Sequence, residues 1–63
     1  MDAKHAFELI DSYDLKDCIA LLIVYAPGLH AQVVDLARSG ADAQTILAAA
    51  RERVKQAYLR EDN

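Results

Sequence analysis

Apolar residues recur at helical spacing along most of the chain and crowd together in one place. Ala3, Ala6, Phe7 and Ile10 lie three or four positions apart, which predicts a short first helix over residues 3–11. Asp14 is a favourable N-cap, because its carboxylate can accept hydrogen bonds from the free amides of the next turn. A second helix is therefore expected from Leu15 to about Tyr25. Inside it, Cys18-Ile19-Ala20-Leu21-Leu22-Ile23-Val24-Tyr25-Ala26 is unbroken by any polar residue. Such a run makes about two and a half turns and is apolar on every side. A helix lying on a small core needs only one apolar stripe. Part of this run is expected to meet another surface.

The chain is punctuated at three positions only, Pro27, Gly28 and Gly40. A residue before proline is pushed out of helical geometry, so the second helix should end at Ala26. Pro27 suits the first turn of a third helix, where a missing amide costs nothing. Leu29, Val33, Leu36 and Ala37 give this helix its stripe, with Val34 beside it and His30, Gln32, Asp35 and Arg38 mostly opposite. Gly40 provides the left-handed residue that commonly ends a helix. Asp42 then caps a fourth, longest helix from Ala43 to about Arg60, with Ile46, Leu47, Ala50, Val54, Ala57 and Tyr58 facing inward. By spacing, Arg51, Glu52, Lys55, Gln56 and Arg60 face solvent. Glu61-Asp62-Asn63 reads as a frayed polar end. The fold class is all-α: one domain over residues 1–63, with three main helices and a short N-terminal one.

Size sharpens the question raised by the second helix. A chain of 63 residues buries only about 60% of its unfolded surface. Its core supplies roughly 3–5 kcal/mol, so small proteins lean on disulfides, metals or oligomerisation. Cys18 is the only cysteine, and with His5 and His30 it shows no metal-ligand spacing. Oligomerisation remains, and the 54% apolar content suits it. A homodimer is expected, with Cys18, Leu21, Leu22, Val24 and Tyr25 at its interface.

The formal charge of −3 argues against nucleic acid as a partner. Its distribution is uneven: the first 17 residues are acidic, whereas Arg51, Arg53, Lys55 and Arg60 make residues 51–60 basic. These opposite ends can lie side by side in one subunit or across an antiparallel pair. No cationic start leads into an apolar stretch, and nine apolar residues fall far short of the roughly 20 that span a bilayer. A cytoplasmic protein without a membrane partner is expected.

Little chemistry can be assembled. Cys18 sits among apolar neighbours, with Asp14 and Asp17 near enough to raise its pKa, and so reads as a buried structural thiol. No nucleophile, base and orienting partner come together, so no enzyme, no catalytic residue, no cofactor and no metal are expected. Residues 33–54 do fit helix-turn-helix spacing, with Leu36, Gly40, Ala41, Thr45 and Ile46 at the positions that motif requires. The exposed start of its second helix carries Asp42, Ala43, Gln44, Leu47 and Ala48. Of these only Gln44 can read a base edge.

Residues 18–55 also resemble the helical tail of phage prohead proteases of the signal-peptide-peptidase type. The shared features are a Cys-bearing apolar helix, a break at Pro27-Gly28 and the aliphatic helix Leu29-His30-Ala31-Gln32-Val33-Val34. Ser39-Gly40-Ala41-Asp42-Ala43 then leads into Ile46-Leu47-Ala48-Ala49-Ala50-Arg51. The protease's catalytic serine and lysine have no counterparts here. The resemblance implies a phage-related assembly or accessory role exercised by contact. The expected function is a small protein-binding adaptor or inhibitor, with Arg51, Lys55, Tyr58 and Arg60 as partner-binding residues. The alternative is a small DNA-binding regulator using residues 33–54.

Overall fold

The computed structural model describes residues 2–61, and the backbone alone of Glu61. Met1, Asp62 and Asn63 lie outside the described residues, and with them most of the polar end. Four helices follow one another: α1 (Ala3–Ile10), α2 (Leu15–Tyr25), α3 (Pro27–Arg38) and α4 (Ala43–Glu61). The helix boundaries expected from the sequence hold within a residue or two.

Each boundary has a local cause. Asp2 caps α1, its Oδ1 accepting the His5 amide at 2.8 Å and standing 3.0 Å from His5 Nδ1. The histidine therefore has a carboxylate neighbour, which sequence reasoning had not given it. After Ile10 the chain turns through Asp11–Asp14, closed by Ser12 N–H to Leu9 O and Tyr13 N–H to Ile10 O. Asp14 Oδ1 then accepts the Asp17 amide at 2.8 Å and starts α2.

A single residue separates α2 from α3. Ala26 leaves helical geometry at φ −152° and ψ 69°, as its place before proline demands. Its amide donates to Leu22 O and ends α2, while its carbonyl accepts from the Leu29 and His30 amides and begins α3. No side chain caps α3. At the far end Gly40 takes φ +92° and donates its amide to Ala37 O. A side chain there would cost about 1–2 kcal/mol in left-handed geometry. Asp42 Oδ1 accepts the Thr45 amide at 2.7 Å to start α4, and that hydrogen bond holds its carboxyl below the usual carboxylate range.

α4 is the central element and packs against each of the other three helices. Its inward stripe is small where the approach is closest: Ala50 is wholly buried, and Val54 and Ala57 nearly so. Against it lie Ile10 from α1, Cys18 and Leu22 from α2, and Leu29 and Val33 from α3. Ile46 and Tyr58 are half-buried against the same core, whereas Ala37, expected on the α3 stripe, is exposed. The molecule is a thin slab, 35 × 21 × 14 Å. A slab this thin has no second layer to place over the outer side of α2.

Candidate interaction surface

The apolar run of α2 divides into two faces. Cys18 and Leu22, four apart, point at α4 and are 0% exposed. This corrects one expectation: neither has surface to offer a second subunit, because α4 of the same chain covers both. Leu21 is half-buried on the flank of this face. On the outer side Ala20 is exposed, and Ile23 and Val24 are 54% and 69% exposed; Tyr25, seven residues from Cys18 and so on its side, is 59% exposed at the end of the helix. The sequence expectation that the run outstrips its own core therefore holds, but for Ala20, Ile23, Val24 and Tyr25 and not for the whole helix.

Beside this face lies an open cleft of about 320 Å³ between α1, α2 and α4. Leu9, Leu21, Tyr25 and Val54 line it together with Tyr13 and Tyr58, and among the described residues no charged one does. All three tyrosines of the chain therefore converge on one apolar cleft. Sequence reasoning missed this feature. The available signal was Leu9, which lies off the Ala6-Ile10 side of α1 and remains 47% exposed.

The basic side of α4 does not face outward as expected. Arg51 is half-buried and donates from Nε to the backbone carbonyl of Tyr13 at 2.8 Å. Lys55 Nζ stands 2.7 Å from Asp11 Oδ1 and 5.4 Å from the centre of the Phe7 ring. Phe7 meets Tyr58 edge-on, with ring centres 6.3 Å apart. Arg53, on another side of the helix, donates from Nε to Gln32 of α3 at 2.8 Å. Arg51, Lys55 and Tyr58 thus form a clamp that holds α1 and the following turn on α4. Of the four residues expected to bind a partner, only Arg60 is fully on the surface. The acidic beginning and basic end of the chain do meet within one subunit, at Lys55 and Asp11.

Burial pushes the Cys18 thiol above its ordinary pKa, nearby Arg51 draws it back, and Asp17 and Asp14 raise it further. This matches the reading of a structural thiol. His30 is half-buried in the first turn of α3 and His5 is exposed on α1. Among the described residues no group of three or more His, Cys, Asp or Glu side chains is placed to hold a metal, and no helix is long and apolar enough to cross a membrane. The chain matches no protein family, no curated protein and no solved structure.

Proposed function

We propose that the chain acts by contact, as a homodimer that binds another protein as an adaptor or inhibitor, and performs no chemistry of its own. One observation carries the reading. The outer face of α2 leaves Ile23 and Val24 more than half exposed, and Tyr25 at the end of the helix, also more than half exposed, lines an apolar cleft together with Tyr13 and Tyr58. Contiguous apolar surface on this scale marks interaction sites in soluble proteins. Tyrosine suits such a rim, since its ring packs while its hydroxyl stays wet. The likeness of residues 18–55 to the tail of phage prohead proteases would give these contacts a role in particle assembly, within the cytoplasm.

Light scattering coupled to size-exclusion chromatography across a hundredfold dilution tests the dimer. Constant dimer mass is expected for the native chain, and a folded monomer for Val24→Asp. A native chain that stays monomeric at every concentration would overturn the homodimer. Leu22→Asp cannot serve here, because its side chain belongs to the core and the variant should simply unfold.

A regulator that binds DNA through α3 and α4 is the second reading. What favours it is the four-residue turn 39–42, with left-handed Gly40 and half-buried Ala41, flanked by half-buried Leu36 and Ile46. Against it, Arg51, Arg53 and Lys55 are already engaged inside the chain. A mobility shift with duplex DNA that fades as salt rises would support this alternative, since phosphate contacts weaken steeply with salt.

A further inference from the structure

Resting on the adaptor reading and not on the dimer, we infer that α2 and α4 form a groove for an amphipathic helix of a partner protein. α1 is its undersized and exchangeable occupant. The partner helix carries the α1 pattern, an aromatic residue, an aliphatic one three positions on and then an acid, with a bulky apolar residue in place of Ala6.

α1 itself shows what the groove accepts. Ala6 and Ile10 are buried there and Phe7 is half-buried. Phe7 meets the Tyr58 ring edge-on, and Lys55 takes Asp11 at 2.7 Å just past the helix end. An apolar stripe followed by a carboxylate is thus the chemistry already seated on α4. Helices docked in grooves are read through anchors at such spacing.

The hold on α1 is light. With 8 residues it falls short of the roughly 12–15 at which an isolated helix is even marginal in water. It is held chiefly by α4, and Lys4, His5, Glu8 and Leu9 stay exposed. The ion pair to Lys55 uses an Asp11 side chain that is 58% exposed, where solvent screens most of the attraction. The next turn is anchored separately. Arg51 holds the Tyr13 carbonyl and Asp14 caps α2, so α2 keeps its start when α1 leaves. Asp11-Ser12 is then the hinge.

α1 also leaves its seat partly empty. The cleft of about 320 Å³ separates it from Leu21 and Tyr25 of α2. That is roughly twice the ~150 Å³ that admits a benzene ring. Ala6 lines this space with a single methyl group. A larger apolar side chain at the same register reaches into the cleft and gains contact that α1 does not make. That gain offsets the advantage a tethered segment has through its effective concentration.

Fluorescence anisotropy with a labelled synthetic peptide of residues 2–12 tests the exchange on the full chain. The receptor is the chain carrying Phe7→Ala and Ile10→Ala, which loosens its own α1 and leaves α2 and α4 unchanged. Binding roughly tenfold tighter than to the native chain is expected, because the native α1 competes from its tether. Within the peptide, Ala6→Leu should tighten binding several-fold. Asp11→Asn should weaken it about two- to fivefold at low salt, as loss of an exposed ion pair does. Absence of binding to a receptor that circular dichroism shows to be folded would overturn the inference. An unfolded receptor would do the same, since α1 then cannot leave alone. So would weaker binding of the Ala6→Leu peptide, since α1 then already fills its seat.

Hydrogen exchange on the native chain gives a second reading without mutation. Amides of residues 6–11 should exchange through an opening that leaves those of Leu22 and Val54 protected. Equal protection would mean that α1 leaves only when the whole chain unfolds, and the groove would be lost as a binding site. Either failure leaves the outer face of α2 as the adaptor's contact surface and does not touch the dimer.

Discussion

The two faces of α2 are made of the same kind of residue and have opposite fates. Cys18 and Leu22 are fully enclosed by α4 and its neighbours, while Ile23 and Val24 of the same helix remain more than half exposed. Hydrophobicity alone therefore does not decide what is core. The side on which α4 lies decides it. The comparison also separates two roles in residues two apart, folding at Leu22 and, in the proposed dimer, association at Val24.

Truncation on each side of the helix is the sharpest way to break that comparison. Leu22→Ala should cost about 2–5 kcal/mol, as large-to-small core changes do. In a chain this small that consumes most of the stability available. Val24→Ala should change monomer stability by less than about 0.5 kcal/mol, as exposed substitutions do. Urea titration under dissociating conditions measures both, and comparable losses would collapse the distinction.

Next in size is the clamp between α4 and the α1–α2 turn. Arg51→Ala removes a part-buried charged donor from the Tyr13 carbonyl and should cost about 1–2 kcal/mol. Opening of the cleft should accompany it, since Tyr13 belongs to the lining. Faster amide exchange across residues 11–14 would report that opening.

Asp14→Ala removes the cap of α2 and should cost about 1 kcal/mol by thermal melting. Both faces of the helix lose order together in this variant, unlike in the first pair. Asp11→Asn, which leaves Lys55 without its ion pair, should cost only about 0.5 kcal/mol, since Asp11 is more than half exposed. The loss should shrink further in high salt.

The smallest effect is one of pH. The Cys18 thiol is raised in the folded chain, so as pH climbs past the ordinary value of 9.0 the unfolded chain gives up its proton first. Stability is then full below that pH and declines above it, until the folded thiol ionises too. Melting temperature followed from pH 8 upward should fall more steeply for the native chain than for Cys18→Ala. Equal slopes would remove the thiol from the account.

Most of the helical framework was legible because its causes are local. Asp14 and Asp42 each hold an amide three residues away, and Pro27 acts on the residue directly before it. Legibility failed where long side chains reach across the fold. Arg51 and Lys55 looked like an outward basic face by spacing alone. Yet Arg51 binds a carbonyl 38 residues earlier in the chain. Leu9 failed in the opposite way, as an apolar residue off its helix's stripe whose place in a cleft depends on two other helices.

What the sequence by itself determined is therefore where each helix begins and ends, and that α2 carries more apolar surface than so small a core can hold. Caps, proline and glycine act over four residues or fewer, so they are written in consecutive positions. Only the tertiary structure decided which side of α2 is enclosed, which cations are held internally, and that three tyrosines meet at one cleft. Those outcomes depend on where α4 lies across the other helices, and that placement follows from packing among residues far apart in the chain.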